Sequence, residues 1–535
     1  MKKIACMIMA LMMLLLTACG GQEAAPTTTA AAGNSSLAAQ IGGAEVTFEP
    51  LEQTTIPAEG AWYLTADVEM SAPLTVGGKL QLHLNGHKIT AVEGVAYENL
   101  IAVPAGSELV IYDAEDGAGS IVSPRSFTAK PIIKHMFQVE GTVTIAGGTL
   151  DASAISLENV ANGGAFYVAE GGVLNIVGGT VVGATTLCTS ISTEPKVDPN
   201  AQKAEADAAD KEDEGEQTEE ETQVEEEEIP EAVEIIGKGG SVFVAVGGTC
   251  NISGGTVTAG YAGLGGNIFV DGNESGVGQL NISGGEISSG EAMFNGGNIY
   301  VLGAAKISDG LLLEGTAYSS GGNIYLEGTL EMTGGRLELG RCDYNGRGGK
   351  RGGNLLVNGL NAVVNISNAE IIDGDGHGSE NFGGSVSVVG QCAREFSITD
   401  TVISGGQGHR GGNVYIGTLA QDVNPENLDY YMKNVTISGG SCSYRGANLC
   451  MDSDLKDVYI NLVMDDCHFV TEDSTRETIS LGAGAAVNTW VTLTMNGGSI
   501  EGGTLTIYGL ATLTANGTSL TTETNGGAGE LVINP

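Results

Sequence analysis

Basic residues are scarce in this chain of 535 residues: 23 Lys plus Arg stand against 65 Asp plus Glu, a formal charge of −42. A surface this acidic makes nucleic acid and anionic membrane faces poor partners. Aromatic residues are few as well, 2 Trp, 15 Tyr and 10 Phe, so any place where they gather stands out. Nine Cys occur without a single Cys-x-x-Cys pair. Setting aside Cys6 and Cys19, near the N-terminus, leaves an odd remainder, which argues against both a disulfide framework and a zinc site. Apolar runs long enough to span a bilayer are missing after Leu16.

What is present begins with Lys2 and Lys3, followed by an apolar run from Ile4 to Leu16 that ends in Leu16-Thr17-Ala18-Cys19-Gly20. The run has the length of a signal-peptide core and is too short for a spanning helix. Its end resembles the lipobox of bacterial lipoproteins. That resemblance implies cleavage after residue 18 and acylation of Cys19. Residues 19–44 are poor in charge and read as a flexible tether. The expectation is an exported, lipid-anchored monomer whose body faces the cell envelope or exterior, touching the membrane through its lipid alone.

Gly numbers 84, more than twice ordinary usage, without a collagen period. The Gly residues belong to a repeat. Gly-Gly-Asn-Ile-Phe-Val at 265–270 returns as Gly-Asn-Ile-Tyr-Val at 297–301, Gly-Asn-Ile-Tyr-Leu at 322–326, Gly-Asn-Leu-Leu-Val at 353–357, Gly-Ser-Val-Ser-Val at 384–388 and Gly-Asn-Val-Tyr-Ile at 412–416. From Asn267 to Asn448 the spacings are 31, 25, 31, 31, 28 and 35. A second phrase, Asn-Ile-Ser-Gly-Gly followed by Thr-Val or Glu-Ile, interleaves at 251–257 and 281–287. Each unit therefore spells three short strands with Gly at the bends. Such strands cannot pair with their chain neighbours through tight bends. They can pair with the same strand one repeat later, in parallel ladders about 4.8 Å apart. Alternate Ile, Val and Leu then face inward, Gly supplies the bend conformation, and the recurring Asn can tolerate positive φ and bond to the next Asn in its column. The fold class expected is all-β, a parallel β-helix (solenoid).

With these phrases in view, the chain resembles the pectate-lyase-type right-handed β-helix superfamily, and its repetitive surface proteins in particular. The resemblance implies a right-handed single-stranded helix over residues 131–535, preceded by an N-terminal cap and first coils at 45–130. It does not fix an activity, because the fold hosts lyases, hydrolases and adhesins alike. Residues 189–237 break the repeat with a strongly acidic stretch that cannot bury a core and reads as a disordered insertion; residues 194–234 hold 18 acids and three Lys.

The loops that precede each Gly-Gly-Asn leave from one side of the coil and should stack into one face. They hold Tyr261, Phe294, Tyr318, Tyr344, Phe382 and Tyr444, rings suited to the C–H faces of sugars. Arg341, Arg347, Lys350 and Arg351 crowd one of these loops, with Arg410 and Arg445 nearby, and Arg binds carboxylates and sulfates bidentately. A polysaccharide or surface glycoconjugate, acidic in character, is the expected ligand. An enzymatic alternative rests on Asp373-Gly374-Asp375-Gly376-His377-Gly378, similar to one motif of polygalacturonases whose other motifs do not stand in order here. A lyase of acidic glycans would need Asp373 and Asp375 to hold Ca²⁺ beside Arg394 as base. Without that set no catalytic residues, metal or cofactor are expected. The leading expectation is a non-catalytic adhesin or polysaccharide-binding protein; a purely structural spacer is the third possibility.

Overall fold

A computed structural model describes residues 28–29, 37–41, 44–52, 55–92, 98–113, 118–124, 135–157, 162–186, 189–190, 234–342, 351–376, 381–389, 394–418, 428–453, 458–482, 489–525 and 527–535. Residues 1–27, Cys19 among them, and residues 191–233 of the acidic stretch lie outside them. The described chain is a parallel β-helix in which each strand pairs with its equivalent one coil later.

The Asn-Ile-Tyr-Val phrase forms the first ladder, in which Ile268–Val270, Ile299–Val301, Ile324–Leu326, Leu355–Val357 and Val386–Val388 pair in parallel without slippage. The Asn-Ile-Ser phrase forms the second, from Thr249–Ile252 through Thr329–Met332 to Val363–Ser367. Arg336–Glu338, Glu370–Ile372 and Val402–Ser404 belong to the third. Gln279–Ser288 and Ala304–Leu313 each carry the second and third ladders in one continuous strand, with the register shifting at Ser283 between them. Alternation does the rest. Ile299, Val301, Ile307 and Leu312 are buried at 0–1% exposure and join one apolar column that runs from Leu51 to Leu513. A fully buried side chain of this size contributes roughly 2 kcal/mol.

The bends divide the work differently from expectation. Positive φ falls on the first Gly of Gly-Gly-Asn, as at Gly296 (φ 70), and not on the Asn. The second Gly answers to space: a Cβ on Gly297 would lie 2.3 Å from the Gly322 carbonyl. The Asn is thereby left free to turn its amide into the coil. Asn298 donates to Asn323 at 2.7 Å and Asn323 to Asn354 at 2.8 Å, and each is fully buried. The expected Asn column is present, held in ordinary backbone geometry.

At the N-terminal end, Leu37–Ile41 pairs antiparallel with Ala44–Leu51, which starts the parallel stack with Gly60–Leu64. Leu37–Ile41 and Thr28–Thr29 fall in the segment read as tether, so strand pairing begins before residue 45. Across the insertion the register is unbroken: Phe166–Val168 pairs directly with Val242–Val244, and Thr189–Ser190 pairs antiparallel with Glu234–Ile235.

Candidate functional site

The loops expected to stack on one face form a fourth parallel ladder. Its start is set by the Asn column, since the N–H groups of Gly290 and Gly315 donate to Asn298 and Asn323 at 3.0 and 3.1 Å. Beyond that anchor Tyr261, Glu291, Thr316 and Arg341 pair in register, and bridges continue the column to Asp375 and Gln407. The residues that follow them, Ala262, Ala292, Ala317 and Cys342, are fully buried. Pleating therefore turns Tyr261, Glu291 and Arg341 outward. A second column runs Asn295, Ser320, Arg351, Phe382, Arg410 and Arg445.

This register sorts the predicted residues into two groups. Tyr261 and Tyr318 gather about Glu291, with Phe294 in the same strand as Glu291 and all four partly exposed. The Tyr318 hydroxyl donates to Glu291 Oε1 at 2.6 Å and is joined to the Tyr261 hydroxyl. Tyr318 is held above the usual phenol range first by that bond to the carboxylate, Tyr261 first by burial. Arg341 is half-exposed and lies 3.8 Å from Asp375.

In the second group the rings and guanidinium groups cover one another. Phe382 is 8% exposed, with Arg351 at 5.7 Å and Arg410 at 5.3 Å from its centroid. Arg410 also pairs with the buried Asp452 at 2.8 Å, a carboxylate that accepts the Tyr415 hydroxyl at 2.6 Å. Tyr444 is half-exposed but stacks on His409 at 5.0 Å and lies under Arg445 at 4.6 Å. Arg445 reaches Tyr508 as well, at 4.3 Å. Tyr344 and Arg347 lie outside the described residues, as does Lys350.

The alternative catalytic set is not brought together. Asp373 occupies the corner between the third and fourth ladders in the left-handed region (φ 51), a position filled by Ala259, Ser289, Glu314 and Leu339 in other coils. Asp375 faces Arg341. Arg394 is exposed at the entry to Glu395–Thr399 in the second ladder, on a different side of the coil. Among the described residues no group of three His, Cys, Asp or Glu could hold a metal ion, and no helix is long and apolar enough to cross a membrane.

Sequence reasoning missed the support beneath this face. The middle residue of the first-ladder phrase points away from the core, and Tyr167, Phe243, Phe269, Tyr300 and Tyr325 stack there with centroids 5.2, 5.5, 5.2 and 4.7 Å apart. Leu264 and Phe382 of the fourth ladder pack against this column. Glu327 accepts the Tyr300 hydroxyl at 2.9 Å, and Asn358 donates to the Tyr325 hydroxyl at 2.7 Å. Each stacked pair adds about 1 kcal/mol beyond its burial, and Leu264 and Phe382 rest on this stack. The recurring aromatic in the repeat phrase was the available signal. Glu291 had none.

The chain matches no protein-family model, no curated protein and no solved structure.

Proposed function

We propose that this protein is a cell-surface lipoprotein of the pectate-lyase-like β-helix type, anchored through Cys19, that binds polysaccharide or a surface glycoconjugate without cleaving it. The observation that carries the reading is the outward column in which Tyr261, Glu291 and Tyr318 meet, joined at 2.6 Å between the Tyr318 hydroxyl and the carboxylate. Aromatic rings offer sugar C–H groups an apolar surface, and a carboxylate between them accepts sugar hydroxyls. The Tyr318–Glu291 bond and the parallel pairing of Tyr261 with Glu291 hold these groups before a ligand arrives, which lowers the ordering cost of binding. Asp373 at a backbone corner and Arg394 on another side of the coil favour binding over catalysis.

The test is affinity electrophoresis of the full-length protein through gels containing neutral, acidic and amino polysaccharides, each gel then stained for loss of polymer. Retardation without clearing is expected. Clearing would replace the proposal with a lyase or hydrolase, and absence of retardation in every gel would leave the spacer.

A further inference from the structure

The fourth-ladder site has a direction to its hydrogen bonds that says which ligands it can take. The Tyr318 hydroxyl spends its proton on Glu291 Oε1 at 2.6 Å. Tyr318 is also bonded to Tyr261. The one hydroxyl proton of Tyr318 therefore runs inward toward the carboxylate. What Glu291 and Tyr318 present to a ligand is lone pairs and a negative charge.

Among the described residues no basic side chain pairs with Glu291 and none donates a hydrogen bond to its Oε2. Arg341, in the same column, leans to Asp375 at 3.8 Å on the far side. Elsewhere on the face, Arg410 and Arg445 lie over Phe382, Tyr444 and Tyr508. The chain as a whole carries −42. An acidic sugar would meet an uncompensated carboxylate here, whereas a ligand bearing N–H donors and a positive charge would find a carboxylate, phenol oxygens and the ring faces of Tyr261, Phe294 and Tyr318.

We propose that the Tyr261–Glu291–Tyr318 cluster binds glycans bearing protonated amino groups, with Glu291 accepting from the ammonium, Tyr318 orienting that carboxylate and the Tyr261 ring flanking it. This rests on the glycan-binding reading, and the test separates the two. The full-length protein is titrated calorimetrically with a glucosamine tetrasaccharide and with its N-acetylated counterpart. The titrations use physiological salt, which screens exposed charges beyond roughly 8 Å, and a pH at which the amine is protonated. The amine form is expected to bind tighter by about tenfold or more, a gap of about 1.4 kcal/mol. E291Q is expected to remove that gap, and Y318F, which leaves the net charge unchanged, to narrow it.

Equal affinity for the two sugars would overturn the amine proposal and leave glycan binding standing. A preference that survives both E291Q and Y318F would overturn it too, since the bulk acidity of the chain would then be the cause. No binding of either sugar, together with no retardation in any polysaccharide gel, would overturn both readings.

Discussion

Asn323 is where the repeat is most exposed to a single change. Its amide donates to the Glu338 carbonyl at 2.9 Å and to Asn354 Oδ1 at 2.8 Å, and its oxygen accepts from Asn298 Nδ2 at 2.7 Å and from the Gly315 N–H at 3.1 Å. All but the bond to Glu338 is buried. Asn323→Ala removes four bonds together and leaves the buried Gly315 N–H and one Asn298 amide hydrogen without their acceptor. At a net value of about 1 kcal/mol per bond the loss is about 4 kcal/mol, and stranded groups can raise it. Because coils in a solenoid contact chiefly their neighbours, the damage should stay local. Denaturant unfolding should show the loss, and hydrogen exchange should show faster amides in Ile299–Val301, Ile324–Leu326 and Leu355–Val357 while coils near Leu449–Ser453 keep their protection. A variant within about 0.5 kcal/mol of the parent, the range of an ordinary surface change, would refute the claim that the Asn column holds the bends.

The same column predicts a gain. Ser385 interrupts it between Asn354 and Asn413, buried with its hydroxyl unpartnered, so Ser385→Asn should raise stability by about 1–2 kcal/mol in the same denaturant assay. Arg410→Ala strands the buried Asp452 carboxylate and should cost about 3 kcal/mol. Arg445→Ala, which gives up ring contacts at a partly exposed site, should cost less than about 1 kcal/mol. His83 is buried, accepts the Asn85 N–H at 2.9 Å, and is held below its ordinary value of 6.5 chiefly by burial. The unfolded chain therefore binds the proton first as pH falls below 6.5, and stability should decline from there down through the lower folded value. His83→Asn should flatten that decline when unfolding midpoints are compared above and below this pH.

How much of this was legible in the sequence follows from what each ladder depends on. The first three are written in side chains: Ile299, Ile307 and Leu312 must be apolar because they face the core, Gly297 recurs because the bend leaves little room for a side chain, and Asn298 recurs because its amide bonds the coils on either side. Phrase spacing therefore gave register as well as fold. The fourth ladder pairs through backbone alone, and its outward column, Tyr261, Glu291, Thr316, Arg341, Asp375 and Gln407, has no common chemistry to recur. It read as a series of loops. The aromatic and Arg residues of those loops were visible as composition, but not which of them meet. No spacing places Arg410 over Phe382 and onto Asp452, or draws Tyr318 back across one coil to Glu291. The corner role of Asp373 was hidden for a related reason, because Ala, Ser, Glu and Leu fill the same left-handed position in other coils.

The most direct test of the account compares the full-length protein with its Tyr261→Ala/Tyr318→Ala double variant, run side by side through polysaccharide gels. Circular dichroism of both would show that the coil is intact, since neither ring belongs to the core column. The account predicts that the polysaccharide that retards the parent leaves the double variant unretarded. Equal retardation of the two would contradict it and move the binding surface off the fourth ladder.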